Sequence, residues 1–364
     1  MPPFRIMRLH HHRQRGVTLT ELLVASAVGI LIVLAMSYML MNSMKARNEL
    51  IKTSRQIENG RHAMDELRQE IQLAGFYGSY LPSQGISWTT PDPCATSLDG
   101  LEFSAQPVVR VPVGIQGFTQ DNAAPACITN RLKGTDILVM RRVETKAMEI
   151  DREPADNQID AGVPGKMGRA FYLQVSHCPD PAKEPPFVLS SATDMDAFSL
   201  HKVTPAGNSV SCIAGQRSEI WRYVTYLYYV SSCNDCRGDG DGIPTLKMVK
   251  VSPVPVERVI AEGIQDMQVE YGFDTNGDGT PDTFEAGINT SQSAHQTAYQ
   301  WQDVVAVKIF LLARNAESNP EYRDEKPYLM GSDGRTVGPF NDAIRRQAYV
   351  STTMAHNIAG RRQQ

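Results

Sequence analysis

Residues 22–41, LLVASAVGILIVLAMSYMLM, carry no charged side chain. At about 1.5 Å rise per residue, a helix of this length crosses the hydrocarbon core of a bilayer. One acid, Glu21, stands at the start of the run. A carboxylate within such a span costs roughly 2.5–3.5 kcal/mol at the bilayer centre and less near an end, so it is kept for a purpose. Any fold for this chain has to accommodate that helix first.

The flanks orient it. Arg5, Arg8, Arg13 and Arg15 precede the span with no acid among residues 1–16, and a large body follows. This asymmetry puts the N-terminus in the cytoplasm and the body outside. Without those four arginines the net charge falls from −4 to −8. A mildly acidic body argues against nucleic acid as the main partner. The six cysteines, Cys94, Cys127, Cys178, Cys212, Cys233 and Cys236, all follow the span. Outside the cytoplasm disulfides are expected, and six cysteines allow fifteen pairings. Proximity along the chain favours Cys94–Cys127, Cys178–Cys212 and Cys233–Cys236.

A secretory signal is cut after its apolar core. Here the better boundary precedes the core, at Gly16–Val17, within GVTLTELL. This stretch resembles the type IV prepilin motif: a glycine, the residue that becomes the new N-terminus, and a glutamate at the fifth mature position. The resemblance implies cleavage after Gly16 by a prepilin peptidase, methylation of the Val17 amine, and a role for Glu21 in assembly. Val17 replaces the usual phenylalanine, and Tyr38 stands where many major pilins have proline.

The helix is expected to continue past the membrane. Residues 42–74 contain no proline and one glycine. Leu50, Ile57, Met64 and Ile71 recur every seven residues, with Gly60, Leu67 and Ala74 offset by three. An apolar stripe at helical period could form a coiled-coil seam, but with only about three heptads it predicts a face that packs on the protein's own sheet. Gly75 and Gly78 then stop the helix. A helix from Val17 to Ala74 would be roughly 87 Å long.

Beyond Gly75, strand-like runs alternate with Pro, Gly, Asn and Asp clusters. Strands are expected at 101–104, 108–113, 136–142, 169–175, 198–203, 219–230, 245–251, 265–273, 303–313 and 347–354. VVAVKIFLLAR is apolar on both faces, which predicts a central strand. The stretches 179–186 and 316–335 read as surface insertions. From Glu219 onward, an aromatic strand ending YYV, then PTLKM, ERVIAEGIQDMQVEYGFDTNGDGTPD, WQDVVAVKIFLLAR and IRRQAYVSTTMAHN follow in order. This order resembles the PilW-type minor pilins of type IV pili, and more distantly the J-type minor pseudopilin of type II secretion. The terminal Arg-Asn pair of that family reads His356-Asn357 here. The resemblance implies an α+β, pilin-like fold: a long N-terminal helix, membrane half plus amphipathic half, packed on antiparallel β-sheet with inserted loops. The expected divisions are a leader at 1–16, a membrane and assembly helix at 17–41, its amphipathic half at 42–75, and a β-rich body at 76–364.

One loop carries metal-ligand spacing. Asp274, Asn276, Asp278, Gly279, Thr280, Asp282 and Glu285 fit D-x-D/N-x-D/N-G-x5-E at every specified position. Calcium takes six to eight oxygens at about 2.3–2.6 Å. Asp274, Asn276 and Asp278 supply oxygens, Thr280 its carbonyl, Asp282 a direct or water-mediated contact, and Glu285 the closing carboxylate. The preceding QVEYGF reads as strand, so this is a calcium loop between strands; the competing reading is an acidic turn. A second loop, Cys233–Gly242, holds Asp239 and Asp241 with no closing glutamate and reads as a solvated turn. Its Cys-x-x-Cys lacks a βαβ setting and reads as a small structural disulfide.

No phosphate loop, G-x-S-x-G elbow or H-E-x-x-H is present. The expectation is a non-enzyme. The resemblance implies a minor pilin that primes pilus assembly or sits near the tip. Its partners would be other minor and major pilins, the prepilin peptidase, the inner-membrane assembly platform and the membrane itself. It would span the inner membrane once with a periplasmic body, then enter the fibre at the cell surface, where pili serve motility and adhesion. The alternatives are a type II secretion pseudopilin and a membrane-anchored periplasmic adhesin or enzyme.

Overall fold

The computed structural model describes residues 16–82, 86–148, 170–178, 180, 182–191, 193–202, 204–206, 209–211, 217–287 and 294–363. The leader up to residue 15, Val203 and Cys212 lie outside the described residues. The chain divides into two compact units, Met1–Ser54 and Arg55–Gln364.

A helix, α1, covers Leu19–Leu73. Its start is a capping box. Thr18 Oγ1 accepts the Glu21 N–H at 3.3 Å, and Glu21 Oε2 accepts the Thr18 N–H at 3.0 Å. Its end follows from Gly75, whose φ of +72° only glycine adopts without strain.

In the first unit the apolar side chains of α1, among them Leu22, Leu23, Ile30, Leu31 and Val33, are exposed. The segment is long and apolar enough to cross a membrane. Leu50, expected in the buried stripe, is also exposed.

The second unit begins with the rest of α1. Here Gln56, Gly60, Ala63, Met64, Leu67 and Ile71 are buried. Their spacing of three and four is one helical face. Arg55, Glu58, Arg61, Asp65 and Arg68 lie on the exposed side.

The strands are β1 (Ser87–Thr89), β2 (Arg110–Pro112), β3 (Ile115–Phe118), β4 (Ile137–Val143), β5 (Phe171–Val175), β6 (Phe187–Ser191), β7 (Thr204–Ala206), β8 (Ser209–Ser211) and β9 (Ile220–Ser231). They continue with β10 (Thr245–Val251), β11 (Pro255–Glu262), β12 (Ile264–Phe273), β13 (Thr283–Glu285), β14 (Val304–Arg314), β15 (Tyr328–Leu329), β16 (Thr336–Val337) and β17 (Arg346–Met354). Two short helices, α2 (Ala294–Gln302) and α3 (His356–Arg362), flank the last long strands.

The larger sheet runs β11-β10-β9-β4-β3, with β5 paired to the start of β9 and β6 to β5. The smaller runs β13-β12-β14-β17, which makes β14 an interior strand. All ladders in both sheets are antiparallel. One core cluster joins Ala63, Met64, Leu67 and Ile71 of α1 to Val224 and Tyr228 of β9 and to Val269 and Val307 of the smaller sheet. The helix face is thus buried by both sheets at once.

Several expectations are corrected. The segment 101–104 is not a strand; a single bridge joins Ser104 to Arg110. Among the described residues of 198–202, only His201 makes a bridge, to Arg217. β11 went unpredicted because PVERVIAE mixes proline and charges, as edge strands do.

Asp136, just before β4, ties the two sheets together. Its carboxylate accepts the Val269 N–H of β12 at 2.9 Å and the Gln120 N–H at 2.9 Å. Burial pushes this carboxyl up to about 6; the two N–H donors and Arg335 pull against it, and Asp266 adds to it. Asp266 itself is raised by burial. A carboxyl raised in the folded state stabilises fully below its unfolded value, near 4, and loses that contribution as pH rises through about 6. The full chain in detergent should therefore melt higher at pH 5 than at pH 7, with Asp136 contributing about 1 kcal/mol to the difference. Asp136→Asn should reduce the slope; an equal slope in the variant would exclude Asp136 as its source.

Candidate functional site

Gly16, Val17 and Glu21 lie together at the start of α1, all exposed. Nothing lies within 4 Å of a Cβ placed on Gly16, so the backbone there is open. Glu21 Oε2 also accepts the Thr18 hydroxyl at 2.9 Å. The carboxylate is thus held by its own helix end, a role the sequence reading missed although Thr-x-x-Glu signals it.

Polar contacts fix the second part of α1. Gln56 is buried, and its amide donates to the carbonyls of Ala313 at 2.9 Å and Arg345 at 3.3 Å. Glu70 takes Arg142 of β4 in a two-pronged pair, both contacts 2.9 Å. Asn59 donates to the Glu262 carbonyl. Gly60 is needed because a Cβ there would collide with the Tyr349 ring. From the far end of the sequence, Asn357 donates to the carbonyls of Gln72 and Ala74, and Arg361 to that of Gly75. Residues of α3 thereby satisfy the terminal carbonyls of α1. The His356-Asn357 pair was the sequence signal, but its role was not visible there.

The acidic loop joins β12 to β13. Asp274 is fully buried; its carboxylate accepts the N–H groups of Gly277 and Gly279 and the Arg362 guanidinium at 2.8 Å. Burial raises its pKa, but Gly279, Arg362 and Gly277 outweigh that and hold it below the ordinary value. Arg362 also pairs with Asp303, which burial still pushes up to about 6. Asn276 Nδ2 lies 3.1 Å from both Asp278 Oδ2 and Asp282 Oδ1. Asp278 accepts the N–H of Thr280. Glu285 is exposed on β13, opposite Tyr271. Register thus places it two residues beyond the pair Phe273–Thr283 that closes the loop. Among the described residues no three His, Cys, Asp or Glu side chains converge on a metal position. Asn276, Asp278 and Asp282 are exposed, while Asp274 is buried and already paired with Arg362.

Cys94 and Cys127 are joined, as are Cys233 and Cys236, with Cα separations of 5.6 and 5.2 Å. Cys178 is disulfide-bonded, and Cys212 lies outside the described residues.

The fold is α+β: a long N-terminal helix whose later turns are packed on antiparallel sheets. Residues 227–357 match the family described as Type IV Pilus-assembly protein W. That span runs from β9 into α3, about a third of the chain. No curated protein matches. Among solved structures the chain is similar to a type IV-like pilin from Thermus thermophilus, at 15% identity, over 54% of this chain and 91% of that one. The TM-score is 0.22, too low to add weight.

Proposed function

We propose that this chain is a minor pilin that primes type IV pilus assembly or sits near the pilus tip. A prepilin peptidase cuts after Gly16, Val17 becomes the methylated N-terminus, and the segment to Met41 passes from the inner membrane into the fibre. The carrying observation is an uncharged helix, exposed on all sides, with a single carboxylate at its start. Thr18 holds Glu21 in the isolated chain; in the fibre Glu21 would exchange that contact for the charged terminal amine of a neighbouring pilin. A buried opposite charge is worth far more in low dielectric than in water. Partners are therefore other minor and major pilins and the assembly platform.

Mass spectrometry of the mature chain should find Val17 at the N-terminus, methylated; an intact Met1 refutes the reading. Glu21→Ala should abolish incorporation into pili while leaving the body's melting temperature unchanged. Normal incorporation would remove Glu21 from the mechanism.

Calcium in the loop Asp274–Glu285 is a separate proposal. It is supported by the motif and by the Asn276 amide, which sits between two carboxylates where a cation would go. Millimolar calcium should raise the melting temperature of the full chain, and Asp278→Ala should abolish the rise. The idea fails if the unmutated chain shows no shift.

A further inference from the structure

The loop Cys233–Gly242 connects β9 to β10, and its disulfide has an unusual neighbour. Lys247 of β10 points its ammonium at Cys236, with Nζ 3.5 Å from Sγ. The lysine side chain is 5% exposed, so this is a charge held against sulfur away from solvent. Its other partner is Glu257 of β11 at 2.8 Å, and Glu257 in turn accepts the Tyr229 hydroxyl at 2.6 Å. The two sulfurs differ: Cys233 is buried, Cys236 half-buried. Ser231 Oγ lies 3.5 Å from Cys236 Sγ. Around the other described disulfide, the Cys127 N–H contacts Cys94 Sγ, and no cation touches either sulfur among the described residues.

We propose that Cys233–Cys236 is a thiol–disulfide exchange site: Cys236 is the exchanging sulfur, Lys247 the positioning residue for its thiolate, and the partner a dithiol of the oxidoreductase class. An adjacent ammonium stabilises a thiolate and so favours the reduced pair. A thiolate of the dithiol attacks Sγ of Cys236, the less buried of the two cysteines. The Cys233–Cys236 bond breaks, Cys233 leaves and takes up a proton, and a mixed disulfide remains on Cys236. The second thiol of the dithiol then attacks its own linked sulfur and expels Cys236 as a thiolate against Lys247. Two electrons have passed to the cysteine pair and the dithiol is oxidised to a disulfide. Of its two protons, one rests on Cys233 and one goes to solvent.

The loop that carries this bond touches both sheets. Asn234 donates to Glu262 at the end of β11, and Arg314 at the end of β14 donates to the Gly242 carbonyl. Exchange at Cys236 therefore acts on the corner where the two sheets meet.

The test uses the full chain in detergent, equilibrated with reduced and oxidised dithiothreitol, with free thiols trapped by iodoacetamide and located by peptide mass spectrometry. Cys233–Cys236 should open at a reduced-to-oxidised ratio at least about tenfold below that which opens Cys94–Cys127. In the reduced chain, the alkylation midpoint of Cys236 should lie about one pH unit or more below that of a free cysteine. Lys247→Met should raise the midpoint. Glu257→Gln, which keeps the lysine and removes its competing carboxylate, should lower it. Simultaneous opening of both disulfides overturns the proposal, as does a midpoint indifferent to Lys247→Met. If that variant does not fold, Glu257→Gln decides: an unchanged or raised midpoint overturns it.

Discussion

Replacing Arg346 with methionine should lower the stability of the second unit by about 3–5 kcal/mol, the range for removing one partner of a buried pair. Arg346 opens β17 with its side chain 2% exposed. It donates to Asp324 at 2.9 Å, to both oxygens of Asp342 at 2.7 Å, and to Gln265 of β12 at 2.7 Å. The Phe340 ring covers its guanidinium at 3.9 Å. Asp324 is the reason for the large effect. Its side chain has no exposure, and without Arg346 it keeps only neutral donors, chiefly the Tyr328 hydroxyl at 2.8 Å. The loop 316–335, read from sequence as an insertion, is fastened to the smaller sheet by this pair. Calorimetry of the full chain should show a fall of roughly 5–10 °C. Adding Asp324→Asn should recover part of the loss, because the stranded charge is then gone. A loss under about 1 kcal/mol would mean that water reaches Asp324.

Gly114→Ala should be nearly as damaging, at about 3 kcal/mol, the upper end for overpacked sites. A Cβ there would lie 2.6 Å from the Gly75 nitrogen and 2.7 Å from its Cα. Both are backbone atoms, and neither can swing aside. Gly75 is held from three directions: by its φ of +72° at the end of α1, by its N–H on the Arg141 carbonyl, and by Arg361 on its own carbonyl. Gly114 is held too, since its carbonyl accepts the Arg141 N–H. The added methyl must push the end of α1 off the sheet. Hydrogen exchange should then quicken at residues 63–75 before it does in β14. Equal protection in the variant and parent would show that the strand yields instead.

What was readable in the sequence followed from periodicity. α1, β10, β12, β14 and β17 all carry long regular runs, and each was placed to within two residues. Short elements with mixed composition, such as β3, β6 and β11, were not, because their neighbours stabilise them more than their own side chains do. The stripe on α1 was found, but with Ile57 in place of the buried Gln56, since an amide is buried only when carbonyls happen to face it.

The sequence alone determined the apolar helix, the acid at its start, the glycine before it, and the β-rich body that follows. These depend on neighbours in the chain: uncharged length, capping spacing and alternation act locally. Only the tertiary structure decided which polar groups meet. Arg346 found Asp324, Arg362 found Asp274, and Asn357 found the end of α1 across 283 residues. Lys247 came to rest on Cys236 because two strands and a loop bring them together. No local pattern encodes such pairings, since each depends on which buried donors and acceptors the packed sheets leave facing one another.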